Sequence, residues 1–244
     1  MSKLGAFFYG IAAYAVFFAS FLYAIGFTGN IFVPKSVDSG MPDSFFLSLV
    51  INLLLLGAFA VQHSVMARRG FKTWWTKIIP KPIERSTYVL ISSLLLFLLY
   101  WQWRPLTAVV WHATGSAAIF LQGLFWLGWA VVLLSTFMID HFDLFGLRQT
   151  FLYWQEKPYT PSPFKKVGLY KIVRHPIMLG FVIAFWATPQ MTAGHLLFAA
   201  MTTAYILIGI WFEERDLRKF HPSDYEAYRK ETPALIPFFK KGSK

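Results

Sequence analysis

The chain has 244 residues, 56% hydrophobic and only 14% charged, with a net charge of +11 and no cysteine. A soluble domain carries about a quarter charged residues, so a soluble globular enzyme and a disordered chain are both excluded. The lack of cysteine rules out disulfides, Cys-ligated zinc, iron–sulfur clusters and a cysteine nucleophile.

The missing charge is concentrated. Residues 4–34, 44–67, 86–103, 105–139 and 175–212 contain no Asp, Glu, Lys or Arg, and each stretch is near or above the ~18–20 residues that cross a bilayer as helix. The first apolar run, 5–27, is longer than a signal-peptide core of about 7–15 residues and is expected to be retained as a spanning helix. Further spans are expected at 44–61, 86–103 and 116–139. The last stretch, 177–212, is too long for one ordinary span. It is interrupted by Thr188-Pro189-Gln190-Met191-Thr192-Ala193-Gly194, whose proline, glycine and polar residues favour a turn. A hairpin of two helices of about 16–18 residues each fits the spanning length better.

The sequence thus predicts an all-α, polytopic integral membrane bundle of four spans plus a C-terminal transmembrane hairpin. Its single membrane domain, 1–244, comprises a four-span part, 1–139, and a part at 140–244 ending in a tail. The charges then sort by side. Segments 62–87 and 139–176 carry six Lys/Arg each and the tail 213–244 carries eight, whereas the alternate loops hold only Lys35 and Arg104. The positive-inside rule makes the basic face, with both termini, cytoplasmic. The excess charge therefore reads as topology and contact with membrane lipid, not as a nucleic-acid surface.

Dinucleotide, P-loop, zinc-protease and serine-hydrolase signatures are absent, and no metal site is expected. Polar residues kept in or beside the bilayer cost energy and are the best functional leads. They gather on the two flanks of the hairpin: Gly168, Leu169, Tyr170, Arg174, His175, Pro176 and Gly180 before it, and Glu213 and Glu214 after it. A hairpin brings these flanks together. An Arg–Glu pair could simply neutralise the helix ends, and His175-Pro176 could be a helix start, with proline in the first turn.

The run G-x-Y-x-x-x-R-H-P-x-x-x-G, the apolar hairpin and E-E-x-x-L resemble the isoprenylcysteine carboxyl methyltransferase superfamily, and Tyr225, Tyr228, Pro233 and Pro237 fit the same pattern. Met178 and His221 depart from it, where tyrosine and glycine are usual. Other stretches resemble the methanethiol S-methyltransferase branch: Gly29-Asn30 through Ser36, Gln62-His63-Ser64, Glu84-Arg85-Ser86-Thr87-Tyr88 and Phe142-Asp143-Leu144-Phe145-Gly146. The resemblance implies an S-adenosyl-L-methionine-dependent membrane enzyme, in a bacterial inner membrane, that methylates a small volatile thiol to give dimethyl sulfide.

On that resemblance the cofactor lies on the cytoplasmic side, at Gly168, Leu169, Tyr170, Arg174, His175, Pro176, Gly180, Glu213 and Glu214. Arg174 is expected to bind its carboxylate, and the two glycines to admit it closely. The thiol needs a general base. His63, at the cytoplasmic end of the second span, is preferred over His141 and Asp143, with Arg85 and Tyr88 facing the same cavity. Two other readings remain open: a larger lipophilic acceptor, such as a prenylated carboxylate or lipid amine, and haem held by two of His63, His141 and His175. The Pro-rich segment 157–163 reads as an ordered connector or a lid.

Overall fold

The computed structural model describes residues 1–163, 165–220 and 222–237; His221 lies outside them. Helices follow the charge-free stretches: α1 (Lys3–Gly29), α2 (Phe45–Ala67), a short α3 (Arg69–Trp75), α4 (Glu84–Gln102) and, after strand β1 (Val109–His112), α5 (Gly115–Ile139). Short helices α6 (His141–Leu144) and α7 (Leu147–Trp154) follow, then α8 (Pro176–Trp186), strand β2 (Gln190–Thr192), α9 (Ala193–Phe220) and α10 (Pro222–Glu231). Among the described residues, five helices are long and apolar enough to cross a membrane: α1, α2, α4, α5 and α9. The chain is an integral membrane helical protein.

The hairpin is asymmetric, which corrects the two similar arms expected from sequence. Its first arm, α8, has 11 residues and its second, α9, has 28. At 1.5 Å per residue these are about 17 and 42 Å, against a hydrocarbon core of about 30 Å. The first arm stops early because Thr188 precedes Pro189, and a residue before proline is pushed out of the helical region. Residues 190–192 extend instead and pair with β1.

The chain divides into two compact units interleaved in sequence. The first comprises Met1–Ala108, Asp140–Ser162 and Thr192–His195, and the second Val109–Ile139, Pro163–Met191 and Leu196–Lys244.

In the first unit, α1 packs on α4 and α7, and α2 packs on α4. Close approaches are made at glycines: a Cβ on Gly10 of α1 would lie 2.2 Å from Thr150 Oγ1 of α7. The fully buried Asn52 of α2 donates to the Arg104 carbonyl (2.7 Å) and accepts from its N–H (2.9 Å). A buried amide is tolerated where its groups are bonded in this way; here it fixes the chain leaving α4.

In the second unit, α5 crosses α8 at a pair of glycines. A Cβ on Gly128 would meet Ala184 N at 2.6 Å and the Gly180 carbonyl at 2.8 Å, and one on Gly180 would meet the Gly128 carbonyl at 2.7 Å. Small residues at such a crossing let backbones touch, which is how membrane helices associate without a hydrophobic driving force. Trp111 Nε1 and Ala113 N donate to the Thr188 and Pro189 carbonyls, at 3.1 and 2.8 Å, and pin the short arm's end.

Candidate functional site

Two polar clusters stand out, one in each unit. In the second unit the flanks of the hairpin meet. Arg174 donates from Nε to Glu214 Oε1 (3.0 Å), and its Nη2 pairs with the same oxygen. His175 Nε2 lies 3.2 Å from that oxygen, and His175 Nδ1 lies 3.6 Å from Glu213 Oε2. The side chains of Arg174, His175 and Glu214 are 8%, 5% and 14% exposed, whereas Glu213 is 49% exposed. One carboxylate is therefore locked within the protein and its neighbour is presented outward.

The tail closes this cluster from outside. Arg174 Nη1 donates to the Thr232 and Arg229 carbonyls, Arg174 N to Pro233 O (2.9 Å) and His175 N to Ala234 O (3.1 Å). Tyr228 donates its hydroxyl to the Tyr170 carbonyl. Burial pushes the Tyr228 phenol up to about 12, with Arg174 acting in the opposite direction. The Tyr225 hydroxyl is buried beside Glu214 and Arg174 and interacts with both, although among the described residues it makes no hydrogen bond within 3.5 Å.

The other residues expected to hold a cofactor have identifiable structural duties. Gly168 adopts φ +50°, and a Cβ there would lie 2.6 Å from Met138 Sδ. Leu169 N donates to that sulfur at 3.3 Å, and Tyr170 donates to Ser135 O at 3.4 Å. Pro176 opens α8 in its first turn, where its missing N–H costs nothing. Gly180 packs on Gly128, and Arg174 directs all three guanidinium nitrogens at protein groups. Sequence reasoning missed the part played by Thr232, Pro233 and Ala234, because their contribution is carbonyl oxygens, which carry no side-chain signal.

In the first unit the structure brings together three of the four residues expected to act on the thiol. The Tyr88 hydroxyl of α4 lies 2.9 Å from Nε2 and 3.0 Å from Nδ1 of His63 on α2. Ser92 Oγ lies 3.3 Å from His63 Nδ1 and donates to Gln62 Oε1 at 3.1 Å. Phe59 stacks on the imidazole at 5.2 Å, and the Arg85 guanidinium lies 5.0 Å from the Tyr88 ring centre. Arg85 also donates from Nε to Leu144 O at 2.7 Å.

Asp143 is occupied elsewhere. It pairs with Arg148 (2.9 Å) and accepts from the Tyr159 hydroxyl (3.2 Å). Tyr159 belongs to the Pro-rich segment, which is tied down further by Arg148 donating to Thr160 O and Ser162 donating to Asp140 Oδ2. That segment is an ordered strap. Asp143 and Arg85 both line a cleft of about 640 Å³. His141 is buried against Tyr14, whose hydroxyl lies 2.7 Å from its Nε2, and burial lowers its pKa. Among the described residues no group of three or more His, Asp or Glu could hold a metal.

The chain is 58% identical over 231 residues to a methanethiol S-methyltransferase of Mycobacterium tuberculosis, covering 94% of this chain and 95% of that protein. The chain belongs to the methanethiol S-methyltransferase family. A second member, methanethiol S-methyltransferase 2 of Bradyrhizobium diazoefficiens, is 55% identical over 97% of this chain and 91% of its own. A third, from Crocosphaera subtropica, is 53% identical over 96% and 92%. No family model and no solved structure matches the chain.

Proposed function

We propose that the chain transfers a methyl group from S-adenosylmethionine to methanethiol, giving dimethyl sulfide, S-adenosylhomocysteine and a proton. The observation that carries this reading is the meeting of Arg174 and His175 with Glu213 and Glu214 in a chain of this family. The donor set suits the cofactor. A half-exposed carboxylate at Glu213 offers a partner for an ammonium or a hydroxyl. The buried Tyr225 hydroxyl, beside Glu214 and Arg174, is a further polar group at this site.

When bound, S-adenosylmethionine supplies an electrophilic methyl on a sulfonium. Glu213 and His175 would hold it, while Arg174 and Glu214 are positioning residues that fix the His175 imidazole and the tail. Tyr225 and Tyr228 close the tail over them. His63 is assigned the proton of the thiol: the thiol S–H bond breaks, its electrons remain on sulfur, and the proton passes to an imidazole nitrogen. The Tyr88 hydroxyl and Ser92 orient that imidazole. The Arg85 guanidinium over the Tyr88 ring adds positive charge that favours a thiolate over a thiol.

The same reading sets the chain in a bacterial inner membrane with both termini cytoplasmic. It is supported by the concentration of Lys and Arg at 62–87, 139–176 and 213–244. The test is purified protein supplied with S-adenosylmethionine and methanethiol, with dimethyl sulfide read in the headspace. Product that requires both substrates is expected, and no product together with no cofactor binding by calorimetry would overturn the proposal.

A further inference from the structure

The cleft of the first unit is a charged chamber. Lys72 of α3, Lys81 just before α4, Arg85 in the first turn of α4, and Lys157 of the strap line it. Acidic residues are too few to neutralise them. Asp143 is taken by Arg148, and none of the four cations is ion-paired among the described residues. Elsewhere, among the described residues, five acids have basic partners: Glu156 with Lys3, Asp43 with Arg104, Glu231 with Lys166, Glu214 with Arg174 and Glu226 with Arg229. Holding like charges together is unfavourable; burial and the neighbouring Arg85 lower the Lys72 pKa, with Glu84 only partly opposing them. Among the described residues Arg85 hydrogen-bonds through Nε alone, to Leu144 O, and its fork of terminal nitrogens is the geometry that grips phosphate.

A second observation narrows the ligand. Glu84 also lines the cleft, and its Oε1 is buried with no hydrogen-bond partner among the described residues. A buried acceptor of this kind calls for a donor. The ligand therefore carries a phosphate for the cations and a hydroxyl or ammonium for Glu84.

A third observation gives its source. The cleft is walled by α3, which joins two long apolar helices and leaves Trp74 and the following Ile78 exposed at 51% and 59%. Exposed tryptophan beside basic residues between spans is the composition of a membrane interface.

We propose that this cleft binds the phosphodiester headgroup of a membrane lipid, with Lys72, Lys81, Arg85 and Lys157 around the phosphate and Glu84 receiving a headgroup hydroxyl or ammonium. Phosphatidylglycerol has both features. Phosphatidylcholine lacks the donor. Free phosphate esters share the phosphate chemistry, so the source has to be separated by experiment.

The full chain is delipidated in detergent and titrated with phosphatidylglycerol or phosphatidylcholine, with bound lipid counted by native mass spectrometry. One phosphatidylglycerol per chain is expected to be retained in preference to phosphatidylcholine. The double variant Lys72→Gln/Lys157→Gln is expected to bind it about 30-fold more weakly, at about 1 kcal/mol per basic side chain. A control, Lys171→Gln/Lys230→Gln, removes equal charge from the second unit and should bind like the wild type. Equal binding by the wild type and the cleft double variant overturns the proposal, as does equal loss in the control. Lys157→Gln alone, on the exposed strap, provides the comparison should the double variant not fold. Displacement of the lipid by millimolar glycerol phosphate overturns the lipid assignment and gives the cleft to a soluble phosphate ester.

Discussion

Replacing Arg174 by leucine removes the cation that holds Glu214, a carboxylate only 14% exposed. Breaking a buried pair from one side costs about 3–5 kcal/mol, because the remaining charge is left uncompensated. Slight exposure of Glu214 lets water in and points to the lower end. Against that, Arg174 also ties down the tail through the Thr232 and Arg229 carbonyls, each bond contributing about 1 kcal/mol. A net loss of about 5 kcal/mol is therefore expected, roughly 10–20 °C in melting temperature for a chain of this size. Glu214→Gln keeps an acceptor for Arg174 and should cost about half as much, since a neutral acceptor gives a weaker bond than a carboxylate. The double variant Arg174→Leu/Glu214→Gln should cost less than the sum of the two, with a coupling of about 1–3 kcal/mol. Thermal unfolding of the four proteins in one detergent measures this. Limited trypsin digestion should show faster cleavage after α9 in both proteins that lack Arg174, and not in Glu214→Gln. Strict additivity of the two changes, or a single variant that melts with the wild type, would refute the coupling of ion pair and tail.

Within α5, Gly128→Ala should destabilise by about 1–3 kcal/mol through overpacking on α8. Gly123→Ala, with nothing within 4 Å of its new Cβ, should be neutral or stabilising by up to about 1 kcal/mol from helix propensity; equal melting temperatures would contradict the glycine crossing. His63→Ala should lower turnover about 100-fold or more, as expected for a lost general base, with cofactor binding by calorimetry retained. Tyr88→Phe should cost about tenfold, the effect of one hydrogen bond of about 1.4 kcal/mol; full activity in either variant would remove the pair from the mechanism. The Tyr228 phenol, at about 12 when folded against 10.0 otherwise, keeps its proton where the unfolded chain has lost it. Stability should therefore be unaffected below pH ~10 and fall by up to about 2.7 kcal/mol as pH rises from ~10 to ~12. Tyr228→Phe should flatten that part of the wild-type stability curve, and an unchanged slope would place the proton elsewhere.

The spans were legible because charge is so costly in a bilayer that its absence alone marks them: α1, α2, α4 and α5 lie where uncharged stretches longer than a dozen or so residues run. The hairpin was legible as a turn at Pro189 but not as an asymmetric one. Hydropathy is continuous from 177 to 212, and the early end of the first arm depends on Pro189 together with the pairing of 190–192 with 109–112. That ladder joins segments far apart in sequence, and neither has a periodic signal of its own. Arg174, His175, Glu213 and Glu214 were legible as neighbours because a hairpin must return its ends to one place. Gly180 illustrates what was not: a glycine that admits a neighbouring helix and one that admits a ligand have the same letter. The pairing of His63 with Tyr88 followed from two polar residues surviving near the ends of adjacent spans. The occupation of Asp143 by Arg148 and Tyr159 depended on the strap, whose path the sequence left open between connector and lid.

The central proposal is methyl transfer to a small thiol, and isotopic labelling tests it most directly. Purified protein given methanethiol and S-adenosylmethionine bearing a deuterated methyl group should release dimethyl sulfide labelled in one of its two methyls. Unlabelled product, or none while calorimetry detects no cofactor binding, would contradict it.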